Sequence, residues 1–129
     1  MLRNDVSVLV VDDNRVDRRV LTKMLDWASM RAAEVENGKE AVELHVAGVT
    51  FDLIFMDMEM PVMDGPQATR ILRQMGVHSR MVGVSGNRRE SDCQAFIAAG
   101  LDDFYVKPLS RQTLVEILHR VDQDISNRC

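Results

Sequence analysis

Acidic, hydroxyl and amine side chains follow four short apolar runs of this chain. Asp12 and Asp13 come directly after four valine and leucine residues, and Asp57 follows Leu-Ile-Phe-Met. Ser85 and Lys107 stand after two later runs. Three carboxylates that lie close together repel one another and need a counter-charge to stay ionised. Mg²⁺ supplies that charge and prefers oxygen ligands, so the pattern predicts a magnesium site if the fold brings these residues together.

These residue types are the ones that phosphoryl transfer to a carboxylate requires. Asp57 is the candidate nucleophile, which would form an acyl phosphate. A cation and the ammonium of Lys107 would offset charge on the phosphoryl oxygens. Lys107 is one of only three lysines beside 13 arginines, and a compact ammonium fits a small anion pocket better than a wide guanidinium.

Each of these residues, taken alone, also has a purely structural interpretation. Asp12 or Asp13 could cap the following helix, and Asp57 could be a loop residue. Ser85 fits common turn chemistry, and Lys107 could be a solvated lysine. The prediction of a phosphoryl-transfer site therefore rests on the conjunction of all five residues at four strand ends.

Five runs rich in β-branched residues predict the strands that would position these side chains. The predicted strands are Val6–Val11, Arg31–Val35, Phe51–Met56, Met81–Val84 and Asp103–Val106. The gaps between them carry helical periodicity, and strands that alternate with helices form a parallel sheet covered on both faces. The sequence therefore predicts one α/β domain of three layers, with ligands bound beyond the carboxyl ends of the strands.

Start and stop signals delimit five predicted helices. The first runs from Asn14 to Ala28, and its predicted inward face consists of Val16, Val20, Leu21, Met24 and Leu25. The other signals are Asn37-Gly38 and Gly48 for the second helix, Pro66 for the start of the third, Gly100 for the end of the fourth with Phe96 and Ile97 inward, and Ser110 for the start of the fifth.

Composition disfavours several classes of protein. The 129 residues include 16 basic and 20 acidic side chains, and the formal net charge of -4 disfavours binding to nucleic acid. Two cysteines do not make a disulfide framework, no apolar run approaches the ~18 residues of a membrane span, and no signal-peptide core follows the N-terminus. We expect a single soluble domain over 1–129, with a core at about 5–124 and a polar tail at 123–129. Its expected location is the cytoplasm, with nuclear access through its small size.

Five segments resemble the receiver domain of two-component response regulators. They are Val-Asp-Asp-Asn at 11–14, Met-Asp at 56–57, Met-Pro-Val-Met-Asp-Gly at 60–65, Val-Ser-Gly at 84–86 and Val-Lys-Pro-Leu at 106–109. The resemblance extends over essentially the whole chain, and the order, spacing and strand context of the segments all agree. It implies a flavodoxin-like (βα)5 three-layer sandwich, in which the parallel sheet has the strand order 2-1-3-4-5.

The resemblance also implies how such a site works. Asp57 would accept a phosphoryl group from a phosphohistidine and lose it again by autodephosphorylation. Mg²⁺, with Mn²⁺ as a substitute, would be bound directly by Asp13 and Asp57 and through water by Asp12. The backbone carbonyl of Glu59 would be a further ligand.

Other positions take their implied roles from the same resemblance. Ser85 would donate a hydrogen bond to one phosphoryl oxygen, and Lys107 would pair with another. Phe104 matches an aromatic switch position whose rotamer couples to phosphorylation, and because it lacks a phenolic hydroxyl the switch would work through packing. Glu59 and Asn87 match the rim positions that modulate the lifetime of the phosphate.

The segment 73–85 is similar to plant type-C response regulators of the cytokinin phosphorelay, which consist of a receiver alone. That similarity implies a phosphotransfer protein or histidine kinase as donor, a monomer without DNA-binding output, and a role as signalling switch or phosphate sink. Near the start of the first helix, Arg15, Arg18 and Arg19 would belong either to the docking face for the donor or to an ordinary solvated face.

Three other functions stay open. The receiver of a hybrid histidine kinase has a similar pattern. A small-molecule phosphohydrolase is a poor match, because the haloacid-dehalogenase pattern needs Asp-x-Asp after the first strand, whereas Asp57-Met58-Glu59 follows the third. A pseudo-receiver that only binds partners is disfavoured by the intact set of acids, hydroxyl and lysine. We therefore expect phosphorelay chemistry confined to the protein itself, and not an enzyme that acts on a separate substrate.

Overall fold

The computed structural model describes residues 2–128, in which five strands alternate with five helices. The strands are β1 (Val8–Val11), β2 (Ala32–Val35), β3 (Leu53–Asp57), β4 (Arg80–Ser85) and β5 (Asp103–Val106). The helices are α1 (Arg15–Trp27), α2 (Gly38–Val46), α3 (Gly65–Gln74), α4 (Glu90–Ala98) and α5 (Arg111–Asn127). All strand pairs are parallel and the order is β2-β1-β3-β4-β5, which confirms the predicted flavodoxin-like sheet.

The sheet separates two apolar cores, because successive side chains of a strand point to opposite faces. Val8 and Val10 of β1 pack into a cluster that includes residues of α1 and α5. Leu9 and Val11 pack into a second cluster with residues of α2, α3 and α4. Strands β1 and β3 are buried along their whole length, as expected of the centre of a parallel sheet, whereas the edge strands β2 and β5 are partly exposed.

Four helices begin at a side-chain cap. Asn14, Asn37, Asp64 and Ser110 each accept a hydrogen bond from the backbone N–H three residues later. Such caps satisfy one of the free N–H groups in the first helical turn. Because Asn14 caps α1, the alternative in which Asp12 or Asp13 is the cap is wrong.

Three predicted inward residues are exposed instead. The residues Leu21 and Leu25 set the buried face of α1, while Val16 and Val20 are 70% and 47% exposed. At ~100° per residue, Val16 lies roughly 140° around the helix from Leu21, so both cannot face the sheet. Ile97 is 45% exposed for the same reason: Phe96 lies on the buried face of α4, and the next residue points about 100° away from it.

Most of the predicted polar tail at 123–129 is helical, because α5 extends to Asn127. Helix α5 continues through Asn127, because Ile125 packs against the core and Asp124 forms an ion pair with Arg80, 2.8 Å from Nε to Oδ2. The carboxylate of Asp122 accepts hydrogen bonds from the backbone of Arg3 and Asn4, so the described N-terminal residues are attached to this helix. Within residues 2–128, no helix combines the length and apolar character needed to span a bilayer.

We expect Gly83→Ala to lower the free energy of unfolding by about 1–3 kcal/mol, because the new methyl group overpacks the second core. A Cβ at Gly83 would lie 2.8 Å from Phe96 Cε2 and would also contact Leu101. Urea unfolding monitored by circular dichroism measures the change. The matched control is Gly86→Ala, where a Cβ would have no neighbour within 4 Å and the expected change stays within about 0.5 kcal/mol. Equal losses in both variants would contradict the packing argument.

Candidate functional site

Three carboxylates meet at the carboxyl edge of the sheet. Val11 of β1 is in register with Met56 of β3, so the next residues, Asp12 and Asp57, come to lie side by side. Carboxylate oxygens of Asp12, Asp13 and Asp57 all lie within 4.8 Å of one another. Asp12 and Asp57 are buried, while Asp13 is exposed. An all-oxygen donor set of this size, open to solvent on one side, fits a hard divalent cation such as Mg²⁺.

Lys107 places its ammonium among these acids. Its Nζ lies 2.9 Å from Asp12 Oδ2, 3.0 Å from Asp17 Oδ2 and 3.1 Å from Asp57 Oδ1. The contacts with Asp12 and Asp17 are hydrogen bonds, and the contact with Asp57 is an ion pair. Burial lowers the pKa of Lys107, but the hydrogen bonds to Asp12 and Asp17 outweigh it and the pKa lies above its ordinary value. The group is therefore a permanent positive charge beside Asp57.

The carboxyl group of Asp57 is hard to ionise without a further cation. Burial, followed by the charge of Asp12, raises the pKa of Asp57 to about 7, although Lys107 opposes the shift. Only a carboxylate can act as a nucleophile. A divalent cation would favour the ionised form of Asp57, so the environment of this carboxyl group supports the predicted cation site.

Ser85 ends β4 on the other side of Asp57. Its side chain is buried, and its Oγ accepts a hydrogen bond from the backbone N–H of Asn87 at 2.9 Å. A hydroxyl can accept one hydrogen bond and donate another at the same time. Ser85 is therefore held in place by the loop after β4 and can still donate its own proton to an anion.

The side chain of Asn87 connects three segments at the rim of the site. Its Nδ2 donates to Glu59 Oε1 and to Asp92 Oδ2, both at 2.9 Å, and its Oδ1 accepts from the backbone N–H of Arg89. Glu59 and Asn87 are therefore hydrogen-bonded to each other, and their predicted influence on the lifetime of the phosphate stays a prediction. The predicted role of the Glu59 carbonyl as a metal ligand stays a prediction.

Phe104 of β5 is half-buried below this rim. Its ring meets that of Phe96 in an edge-to-face arrangement, with centroids 6.0 Å apart and planes at 75°. Phe96 is the buried residue of α4, so a change of the Phe104 rotamer would alter the packing of that helix. The coupling of this rotamer to phosphorylation stays a prediction.

Two residues of α1 belong to the site although the sequence analysis did not place them there. Asp17 contacts Lys107, as described above. Arg18 donates from Nη1 to the Asp12 carbonyl at 2.7 Å and from Nε to Glu34 at 3.1 Å, and its side chain is only 13% exposed. Arg18 therefore anchors Asp12 and does not belong to a solvated or docking face. The available signal was that both residues lie within the first turn of the helix that follows Asp12.

Arg15, Arg19 and the three histidines do not contribute to the carboxylate site. Arg15 and Arg19 are exposed, as either predicted alternative requires. His45 is buried, with Nδ1 2.7 Å from the Ala41 carbonyl, while His78 and His119 are exposed. These histidines lie apart from the three carboxylates and make packing or surface contacts.

We expect Asp57→Asn to stabilise the metal-free protein at high pH. Because the folded-state pKa of Asp57 is raised to about 7 from 3.8, ionisation of Asp57 destabilises the fold as pH rises between these values. The variant removes that cost, so its gain in unfolding free energy should approach a few kcal/mol, on the order of 2–4, above pH 7 and should vanish below about pH 4. Urea unfolding in EDTA across this pH range measures it. Asp5→Asn, at an exposed acid, is the control, and a gain independent of pH would contradict the assignment.

Comparisons with known proteins agree with this geometry. The family model described as the response regulator receiver domain matches residues 8–119. Two-component response regulator 24 of Arabidopsis thaliana is 41% identical over 122 residues, which cover 95% of this chain and 88% of that protein. Two-component response regulator ORR41 of Oryza sativa is 44% identical over 121 residues, which cover 92% of this chain and 95% of that protein.

A solved receiver-domain structure has the same fold and is 30% identical in sequence. The receiver domain of sensor histidine kinase PA1611 from Pseudomonas aeruginosa, determined with a magnesium ion coordinated in its active site cleft, aligns with a TM-score of 0.81. The alignment covers 93% of this chain and 99% of that one. The predicted similarity to plant receiver-only regulators is confirmed by the two plant relatives, and the chain belongs to the response regulator receiver domain family.

Proposed function

We propose that Asp57 accepts a phosphoryl group from a phosphohistidine, in a Mg²⁺-dependent step of a multistep His-Asp phosphorelay. The observation that carries this proposal is the position of the Lys107 ammonium, which contacts both Asp57 and Asp12 of the three-carboxylate cluster. A permanent positive charge there would bind a phosphoryl oxygen next to the nucleophile. The buried Ser85 hydroxyl lies at the end of the adjacent strand, where it can orient a second oxygen.

In the transfer step, a carboxylate oxygen of Asp57 attacks the phosphorus of the phosphohistidine. The new P–O bond forms as the P–N bond breaks, and the imidazole nitrogen keeps the bonding electron pair and takes a proton from solvent. Asp12, Asp13, Asp57 and the Glu59 carbonyl would hold Mg²⁺, or Mn²⁺ in its place, and the bound cation would offset charge on the phosphoryl oxygens. Lys107 and Ser85 position the group in line with the nucleophile.

The phosphoryl group leaves by hydrolysis of the acyl phosphate. Water attacks the phosphorus, the P–O bond to Asp57 breaks, and the products are inorganic phosphate and the original carboxylate. The chain is its own substrate in this cycle, so we propose a cytoplasmic signalling component and not an enzyme for small phosphate esters. In line with this view, Glu59, the second acid of Asp57-Met58-Glu59, is exposed and hydrogen-bonded to Asn87.

The exposed face of α1 is the surface where we propose that a histidine-containing phosphotransfer protein docks. Val16 and Val20 are exposed there beside the basic residues Arg15 and Arg19. A cavity of about 110 Å³ separates this helix from the segment after β5, and Val20 and Lys107 both line it. A partner helix on this face would therefore cover apolar surface directly beside the acceptor site.

A second source for the same receiver chemistry is a hybrid histidine kinase. The similar PA1611 structure is the receiver domain of a sensor histidine kinase. The two assignments share the acceptor Asp57 and differ in whether the donor belongs to the same polypeptide. The plant relatives, which this chain matches over most of their length, favour the separate phosphotransfer protein and cytokinin signalling.

We expect Asp57→Asn to abolish the labile phosphoryl adduct, because the amide cannot form an acyl phosphate. The measurement is a time course of the protein with a phosphorylated phosphotransfer protein and Mg²⁺, followed on Phos-tag gels. In the wild type, transfer followed by fast loss of phosphate indicates a sink, and a long-lived adduct indicates a switch. An adduct of undiminished yield in the variant would contradict the assignment of Asp57.

We expect Val20→Asp to slow transfer from the phosphotransfer protein by roughly tenfold or more, because it puts a charge into an apolar contact. Phosphorylation by acetyl phosphate, which needs no docked protein, should change far less. Val115→Asp on α5, also at an exposed valine, is the matched control and should leave both rates near the wild-type values. If Val20→Asp slows both donors equally, the docking assignment is wrong.

A further inference from the structure

The ammonium of Lys107 is already contacted by three carboxylates. It donates hydrogen bonds to Asp12 and Asp17, at 2.9 and 3.0 Å, and forms an ion pair with Asp57 at 3.1 Å. A phosphoryl oxygen that pairs with Lys107 therefore competes with these carboxylates for the N–H groups and the charge of the ammonium. The inference drawn from these contacts rests on the proposed function of Asp57 as phosphoryl acceptor.

Asp17 is the acceptor that is easiest to displace. Its side chain is 43% exposed, whereas that of Asp12, the other hydrogen-bond acceptor, is 6% exposed. Asp57 does not enter this comparison, because its carboxylate becomes the uncharged acyl group that carries the phosphoryl group. Water can solvate the Asp17 carboxylate once the ion pair breaks, but a buried carboxylate that loses its partner keeps the full desolvation cost. Asp12 also accepts the N–H of Asn14 and is held by its strand, which leaves Asp17 as the mobile partner.

We propose that Asp17 is a positioning residue that competes with the phosphoryl group for the Lys107 ammonium. Before phosphorylation, Asp17 draws the ammonium toward α1. When the phosphoryl group forms on Asp57, its oxygen takes that N–H and the Asp17 carboxylate is released to solvent. Asp17 therefore weakens retention of the phosphoryl group, both by this competition and by adding a negative charge beside a dianion.

This competition links the acceptor site to the exposed face of α1. Asp17 and Lys107 line the same cavity as Val20, so the released carboxylate lies at the edge of the surface proposed for docking. A partner bound to α1 would therefore meet an Asp17 carboxylate whose contacts depend on whether Asp57 is phosphorylated.

The test uses beryllofluoride with Mg²⁺ as a stand-in for the phosphoryl group, measured by fluorine NMR and calorimetry on the full chain. At saturating Mg²⁺, with the Mg²⁺ affinity of each variant determined separately, Asp17→Asn should bind beryllofluoride roughly two- to fivefold more tightly than the wild type. The matched control is Asp26→Asn, which removes an exposed acid from the other end of the same helix and should leave the affinity unchanged. A role limited to stabilising the helix N-terminus would lower the melting temperature of Asp17→Asn without this gain.

Two further measurements decide whether Asp17 acts through Lys107. In a Lys107→Met background, the gain from Asp17→Asn should disappear, as a double-mutant cycle requires of coupled residues. In the wild type, the carbon NMR signal of the Asp17 carboxylate should shift when beryllofluoride binds, while that of Asp26 stays constant. An unshifted Asp17 signal, or an affinity of Asp17→Asn equal to or below that of the wild type, overturns the proposal.

The outcome also separates this inference from the proposed function. If the wild type does not bind beryllofluoride, or if Asp57→Asn binds it equally well, the acceptor role of Asp57 fails. If the wild type binds it, Asp57→Asn does not, and Asp17→Asn behaves like the wild type, only the role of Asp17 fails.

Discussion

Charge balance at the carboxyl edge of β1 and β3 is the constraint on which the site depends. Within the described residues, one ammonium, that of Lys107, contacts three carboxylates, and Asp13 adds a fourth acid beside them. Two like charges 4 Å apart repel by about 4 kcal/mol at an effective dielectric constant of 20. The site is therefore deficient in positive charge and favours a divalent cation. Burial, together with the charge of Asp12, keeps the pKa of Asp57 high.

The two central strands enforce this costly arrangement. Both are buried on both faces, and a slip of one residue would move every apolar side chain of a strand to the opposite core. The register that pairs Val11 with Met56 therefore also pairs the acids that follow. Gly65 adds a second constraint, because a Cβ there would collide with the Asp57 carbonyl. Hydrophobic packing on two faces thus holds together charges that would otherwise separate.

Much of this arrangement could be predicted from the sequence. Apolar runs that end in Asp12, Asp57, Ser85 or Lys107 predict both the strands and the edge at which those residues meet, since period and polarity are local properties. Helix orientation was less predictable: Val16 and Val20 share the apolar character of Leu21 but not its direction. The side-chain partners of Asp17 and Arg18 could not be predicted, because they depend on how α1 lies against β1, β2 and the residue after β5. The local sequence shows only that both residues lie in the first turn of the helix after Asp12.

The two side chains expected to bind a phosphoryl group on Asp57 connect to different helices, and this limits how that group can be sensed. Lys107 is shared with Asp17 of α1, whereas Ser85 is held by Asn87, whose side-chain amide also binds Asp92 of α4. A single anion that takes hydrogen bonds from both Lys107 and Ser85 would draw on contacts that reach both helices. The exposed face of α1 and the surface around α4 would then both respond to phosphorylation of Asp57, because Lys107 connects the acceptor site to the first and Ser85 connects it to the second.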